Sequence, residues 1–518
     1  MPYERHTPET TLLYRTLQEH WLQFLADIEA EGGELPAFVK DEFDAFFRCG
    51  VLVHGFLRVR CKDCGFTRAV GFACKRRGFC PSCIGRRMAD TAAFAVDYLF
   101  PRAPVRQLSW EPWAGSQTLP RRAARGKASL RPRESVLSVP PSLRFKMAYS
   151  PKLASAVLGC FMAAITSDLR RRARKRKIRG PLQTGALTVI QRFGSSLALN
   201  VHFHSLVIDG MYAKNPDGSV LFHPLPAPKD EDVARIARAV CRKVTRLLAR
   251  QKDSEGNQTT LLDEMANASV QGLVATGPRR GCRVFRLGAN AEDANATITG
   301  KRCADVAGFN VHANTCARAG DREHLEQLVK YLARPPIANE RLSELPDGHI
   351  VLRFKQPWRN GTTGVMFTPH ELIEKLIPLV PRPRAHVVRY HGIFGPAAKD
   401  RDKVVPRSGP VEIGRPSEKN EPREIDSSRV APVYRLPWAL LLKRVFLTDV
   451  LECPKCKGRM KILAAVMKPG SVRRVLKHLG LPTEAPRLRP ARSPPQLELA
   501  DGRTQPDDFY ADPPSLEW

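Results

Sequence analysis

The sequence predicts an α+β protein. An antiparallel sheet flanked by helices is expected, preceded by a helical, metal-binding domain and followed by a small C-terminal domain. Three observations carry this expectation. From Val136 to about Arg389, strand-like runs alternate with helical ones. Two of the strand-like runs, "GALTVIQRF" and "LALNVHFHSLVIDGMY", are separated by so short a turn that an antiparallel hairpin is the natural reading. Cysteines fall in C-x-x-C pairs, the spacing of metal ligands.

At 518 residues the chain has room for several domains with real cores. Lys and Arg outnumber Asp and Glu by 83 to 52, a net charge of +31. Such a balance implies a polyanionic partner, most commonly nucleic acid, although ribosomal or membrane-surface partners also fit. No run approaching 18 apolar residues stands out, and the opening "MPYERHTPET" is polar. A cytoplasmic protein without leader or membrane span is therefore expected. Thirteen cysteines, an odd number, argue against a disulfide framework and for metal.

These signals divide the chain into a helical and zinc-binding domain (1–100), a basic linker or insertion (101–135) and a sheet-containing domain (136–397). A linker (398–432), a small C-x-x-C unit (433–482) and a Pro-rich tail expected to be disordered (483–518) follow. Two amphipathic helices fill residues 8 to 48, broken at "EGGELP". Another helix, beginning near Ile84, spaces Met88, Ala92, Ala95 and Leu99 helically. A long helix from about Lys152 ends in a run in which Arg170, Arg171, Arg172, Arg174, Lys175, Arg176, Lys177 and Arg179 are basic. Such a run is commonly a solvated face; in so basic a chain it is read as a phosphate contact. Helices are expected from Asp230 to about Lys252 and over "DREHLEQLVKYLARPP", and a strand over "GFNVHANTCA". A hairpin turns at Asn360-Gly361, and Thr368, Pro369 and Glu371 start a capped helix.

Cys61-x2-Cys64 and Cys80-x2-Cys83 are separated by fifteen residues, which lets both pairs converge on one tetrahedral Zn²⁺. Cys74 is a fifth candidate, and a second site completed by Cys49 and His54 is not favoured. The alternative is four buried, reduced cysteines. Lys75, Arg76, Arg77, Arg86 and Arg87 surround the pairs, so the module is expected to touch phosphate as well. Cys453-x2-Cys456 lacks an obvious second pair, and an unmetallated turn is its expected state.

In a strand, residues i and i+2 face the same way, so His202 and His204 project together while Phe203 points into the opposite, buried layer. Two imidazoles on one face can hold one divalent metal, and on a basic protein that suggests phosphodiester chemistry. A tyrosine nearby would permit covalent strand transfer. On a helical wheel Tyr331 sits at the rim of the stripe formed by Leu325, Leu328, Val329 and Leu332, with Gln327 and His324 on its side. A boundary tyrosine that merely packs its ring is the alternative, and Tyr390 in "RYHGIFGP" is a rival nucleophile.

His-hydrophobic-His, followed by a helix carrying "KYLARPPIA", resembles the HUH class of single-strand endonucleases. With "FCPSC" and "PHELIEKLIPLVPRPRAHVVRYHG", the chain resembles rolling-circle insertion-sequence transposases of the IS ninety-one family, from about Leu52 to Pro482 with breaks. The resemblance implies an HUH endonuclease palm. In it His202 and His204 hold Mg²⁺ or Mn²⁺, and Tyr331 attacks single-stranded or hairpin DNA at a transposon end to give a 5′-phosphotyrosine. HUH sites usually add one more polar ligand, for which His312 is the first choice and Gln327 the second. Typical members carry a second tyrosine four residues on, but position 335 is Pro335, so the chain resembles the single-tyrosine branch of common-region elements. Relatives run almost directly from "PVRQ" into "VLSVP"; the insertion at 110–135 could disturb the first strand of the sheet. A non-catalytic zinc-bearing DNA-binding protein and a rolling-circle plasmid replication initiator are the alternatives, and the oligomeric state is left open.

Overall fold

The computed structural model describes residues 7–110, 141–250, 260–288, 301–306, 309–358, 360–406 and 451–492, together with 439 and 449. The architecture is α+β. Helix α1 (Leu12–Ala30) is capped by Thr11, whose hydroxyl accepts from the Tyr14 amide. Its Leu13, Leu17, Trp21, Phe24 and Ile28 recur at helical spacing and are buried. They meet α2 (Ala37–Arg48), where Trp21 stacks on Phe43 at 3.9 Å between ring centroids. The hairpin of β1 (Phe56–Cys61) and β2 (Thr67–Gly71) follows, then α3 (Pro81–Phe94), which runs on as a π-turn through Ala95–Leu99.

The main sheet begins earlier than the sequence predicts. Strand β3 (Val105–Trp110) lies inside the expected linker at 101–135, yet it is an interior strand of the main sheet. Its polar residues are buried by pairing. Arg106 Nε and Nη2 hold Asp209 Oδ2 at 2.8 and 2.6 Å, and Arg106 Nη1 donates to the Ala313 carbonyl at 2.9 Å. The strand next to the insertion is thus intact; positions 111–135 of the insertion lie outside the described residues.

Helices α4 (Pro141–Tyr149) and α5 (Pro151–Lys175) lead into β4 (Leu182–Gln183), β5 (Gly185–Phe193), β6 (Leu199–Ile208), β7 (Gly210–Lys214) and β8 (Val220–Pro224). Next come α6 (Asp230–Arg250), α7 (Leu261–Gln271), β9 (Phe285–Leu287), β10 (Cys303–Val306), β11 (Phe309–His312), β12 (Cys316–Ala317) and α8 (Arg322–Leu332). The main sheet runs β10-β11-β3-β6-β5 and ends on β16 (Val388–Gly392), with β12 also paired to β3. Every pairing is antiparallel. β6 is central, and all ten of its residues are buried.

The two faces of β6 enter different cores. Val201, Phe203 and Val207 join Val157, Phe161 and Ile165 of α5. Leu206 and Ile208, which share a face with the two histidines, pack with Leu325, Leu328, Val329 and Leu332 of α8 and with Ala92, Ala95 and Leu99. Contrary to expectation, α5 does have the length and apolarity of a membrane span, but it is a core helix with Val157, Phe161 and Ile165 at most 1% exposed.

A second sheet joins β9 to β13 (Leu342–Glu344), β14 (Ile350–Arg353) and β15 (Gly364–Phe367). The turn between β14 and β15 uses Gly361 at φ +78°, where a Cβ would stand 2.7 Å from the Gly288 carbonyl oxygen. Helix α9 (Pro369–Leu376) carries the expected capping box, the Glu371 amide donating to Thr368 Oγ1 at 3.1 Å. Beyond β16, α10 (Arg401–Val404) lies within the expected linker, and Asp400 beside it binds Lys214 Nζ at 3.1 Å.

The C-terminal unit is not separate. Strand β17 (Met460–Val466) pairs with β1, extending the N-terminal hairpin to a three-stranded sheet, and α11 (Pro469–His478) buries Val472 and Leu476 against Leu52 and Phe56. The first residues of the expected tail lie along α1, where Gln18 Nε2 donates to the Arg487 carbonyl at 2.7 Å. Residues 493–518 lie outside the described part.

Candidate active site and cysteine clusters

Alternation along β6 places His202 and His204 on the face that α8 covers, 3% and 1% exposed, with their Nε2 atoms 3.1 Å apart. The Asn200 carbonyl, 2.8 Å from His202 Nδ1, must accept, which keeps the hydrogen on Nδ1 and leaves the Nε2 lone pair facing His204. Gln107 Nε2 stands 3.4 Å from His204 Nδ1. Burial pushes the His202 imidazole down to about 3, helped by Arg334 and Arg144, and lowers His204 well below its ordinary value, helped by His202 and Arg334. Both rings are therefore neutral near pH 7, the form that ligates metal.

His312 lies in the same row across the sheet, but its ring nitrogens do not come together with those of His202 and His204 within 4.8 Å as the cysteine sulfurs do. It is the register partner of Ser109 on β3, and Ser109 is the register partner of His204 on β6. Partners directly opposite in antiparallel strands share a face, so His312, Ser109 and His204 form one row. Burial lowers His312 to about 4. Gln327, by contrast, is exposed on α8.

Tyr331 is brought to the pair by the apolar stripe of α8, whose four members are at most 3% exposed against the sheet. Asp321 caps the helix start at the His324 amide, 3.0 Å, and Gln191 Nε2 donates to the Leu332 carbonyl at its end. The half-buried Tyr331 ring lies 6.0 Å from the His204 ring, edge to face, and the Arg334 guanidinium lies 4.3 Å from the Tyr331 centroid. Arg334 was not singled out by the sequence, nor were Gln107 and Gln191. Tyr390 sits on edge strand β16 with its ring 5.9 Å from Phe94, and burial raises its phenol. A crevice beside the site, on the α3 side, is lined by Arg77, Arg87, Val189, Gln191 and Arg334.

Two family models match the chain. One, described as "Putative transposase", matches residues 185–402 and spans both histidines, His312 and Tyr331. The other, described as "Transposase zinc-binding domain", matches residues 16–109. The chain belongs to the IS ninety-one family of transposases. No curated protein and no solved structure matches it. As a transposase it acts on DNA, which agrees with its net charge of +31.

The cysteine pairing of the transposase differs from the sequence reading. Cys61 and Cys64 do not converge with Cys80 and Cys83. Cys80 and Cys83 instead meet Cys49 and Cys74, all four sulfurs lying within 4.8 Å of one another. Sγ separations are 3.5 Å for Cys49–Cys83, 3.2 Å for Cys74–Cys83 and 3.6 Å for Cys80–Cys49. A tetrahedron with Zn–S bonds of about 2.3 Å has edges of about 3.8 Å, so the group has the donor set and spacing of a structural zinc site. Lys75, at φ +58°, turns its amide onto Cys83 Sγ at 3.3 Å. Hydrogen bonds from Cys49, Cys74 and Cys80 draw the Cys83 thiol below its ordinary value. His54 belongs to neither cysteine group. The disfavoured Cys49 is a member because α2 ends there and delivers it to the start of α3, a proximity that C-x-x-C spacing cannot express.

The basic run divides by environment. Arg171 is held by Asp168 and Asp232 at 3.0 and 2.5 Å, and Arg172 is buried, donating to the Pro226 carbonyl. The expected phosphate role therefore does not extend to Arg172. Arg174, Lys175, Arg176, Lys177 and Arg179 are exposed, as is Arg170. Arg170, Arg174 and Lys175 line a groove of about 1180 Å³ that also reaches Thr184 and His391. Thr184 Oγ1 and His391 Nε2 are buried there without a hydrogen-bond partner among the described residues. Because His391 pairs with Ala186 of β5, the groove is on the face opposite the histidines. Arg76 is half-buried, and Arg77 donates to the Ala385 carbonyl.

Proposed function

We propose that this transposase nicks and rejoins single-stranded DNA at transposon ends through a 5′-phosphotyrosine on Tyr331. The observation that carries the reading is the assembly, on one sheet face, of the His202–His204 pair 3.1 Å apart with a tyrosine ring 6.0 Å from His204. The donor set fits a divalent cation. Two Nε2 atoms at 3.1 Å suit neighbouring ligands with metal–nitrogen bonds of about 2.1 Å, and His312 extends the row. His202 and His204 would hold Mg²⁺ or Mn²⁺, with His312, next in the row, as the candidate third ligand, and the ion would polarise a phosphoryl oxygen and offset charge in the transition state.

The chain's own groups supply the rest. The Tyr331 oxygen forms a bond to phosphorus as the bond from phosphorus to the 3′-oxygen breaks. The phenol gives up its proton, and the departing strand end takes one up as a 3′-hydroxyl. Arg334, lying against the ring, places positive charge where the phosphate would approach the phenol. Arg77 and Arg87 in the adjoining crevice attract the incoming backbone. Because the phosphotyrosine keeps the energy of the broken diester, a second 3′-hydroxyl can displace the phenol without a nucleotide cofactor. The single tyrosine, with Pro335 where a second would stand, supports the single-tyrosine branch.

The test incubates the full-length protein with single-stranded end DNA and Mn²⁺ and resolves it under denaturing conditions. A covalent protein–DNA band that disappears with chelator is expected. DNA binding without such a band in either Mg²⁺ or Mn²⁺ would leave the non-catalytic reading.

A further inference from the structure

The pair Cys453 and Cys456, outside the matched zinc-binding domain, closes on the Cys61–Cys64 pair near the other end of the chain. Cys61 Sγ lies 3.4 Å from Cys456 Sγ, and Cys64 Sγ lies 3.5 Å from Cys453 Sγ. All four sulfurs fall within 4.8 Å of one another. These separations match the edges of a tetrahedral zinc–thiolate site, about 3.8 Å, and not a disulfide bond of about 2.05 Å.

The two turns are built alike. In each, the first cysteine's amide donates to the carbonyl five positions on: Cys61 to Phe66 at 2.8 Å and Cys453 to Gly458 at 2.9 Å. In each, the residue after the second cysteine is left-handed, Gly65 at φ +72° and Lys457 at φ +61°. A non-glycine residue in that conformation is uncommon, so Lys457 points to a turn whose shape is demanded by its sulfurs. Gly458 is pressed on Asp63 so closely that a Cβ would stand 1.8 Å from Oδ2, which locks one turn against the other. The turns sit at the ends of β1 and β17, paired from Phe56↔Val466 to Cys61↔Met460. Two such turns over a three-stranded sheet have the layout of a zinc ribbon.

We infer that the chain binds a second structural zinc ion, held by Cys61, Cys64, Cys453 and Cys456, which fastens the C-terminal segment to the N-terminal module. The apolar contacts there are few: Val59, Val70 and Met460 beside Cys61 and Cys453, with Val472 and Leu476 against Leu52, Phe56 and Ala69. Cores of that size rarely hold without a staple. The ribbon does not depend on the proposed strand-transfer chemistry.

The test counts zinc per full-length chain purified under reducing conditions, with His202→Ala and His204→Ala present so that the histidine site adds none. Two ions are expected, falling to one with Cys453→Ser and Cys456→Ser and remaining two with Cys456→His, which keeps a fourth ligand at an exposed position. One ion before any cysteine is changed, or two after both serines are introduced, would overturn the inference. If the serine variant loses both ions, the cobalt-loaded chain with all cysteines intact decides. Its sulfur-to-cobalt absorption must have the intensity of two tetrathiolate sites, and the intensity of one overturns the inference.

Discussion

His204 and His312 are neighbours through one residue, Ser109, which is the register partner of both. Strands β6 and β11 are far apart in sequence, and β3 between them sets their histidines in one row. His312→Ala is therefore expected to weaken Mn²⁺ binding about 10- to 100-fold, while Gln327→Ala, at an exposed position, leaves it unchanged. Titration calorimetry on both variants checks this, and the reverse ranking would move the third ligand from the sheet to α8.

Acid should expose the cost of burying these rings. Above about pH 6.5 they are neutral in folded and unfolded chains alike. Below it the unfolded chain takes up protons that the folded chain refuses, because burial lowers His202 to about 3 and His312 to about 4. Stability without divalent cation should fall from pH 6.5 downward and level off near pH 3 to 4, by about 2 kcal/mol per ring at pH 5. Thermal melts in chelator at pH 7.5 and pH 5 should show a smaller acid loss for His202→Gln with His204→Gln. An equal loss would mean that the rings are not held neutral.

The exposed arginines that line the groove on the opposite face are expected to contact DNA separately from the histidine site. Arg170→Ala with Arg174→Ala should weaken binding of single-stranded DNA across sequences and flatten its dependence on log salt by about one to two units. Arg172→Ala should instead destabilise the fold, since Arg172 is buried and bonded to the chain. Fluorescence anisotropy over a salt series in chelator, with melts alongside, separates the two effects.

The parts of the site that sequence makes legible are those set by local periodicity. The two-residue repeat aligns His202 with His204, and the helical wheel puts Tyr331 beside the stripe that packs on the sheet. Partners fixed by tertiary pairing were not legible. Arg106, Gln107 and Ser109 make β3 look like polar linker, although Asp209, His204 and His312 are what each answers to. C-x-x-C spacing likewise defines a turn that supplies two ligands but not which turn supplies the others. So Cys61 and Cys64 were matched to the nearer pair in sequence instead of to Cys453 and Cys456. Net charge could not tell Arg172, turned inward, from Arg174, turned outward.

The most direct measurement is mass spectrometry of the peptide that carries DNA after reaction with Mn²⁺. The account requires the nucleotide mass on the tryptic peptide of residues 331–341, whose only tyrosine is Tyr331, and its loss in Tyr331→Phe. Nucleotide on residues 390–399, which contain Tyr390, or an adduct that persists in Tyr331→Phe, would contradict it.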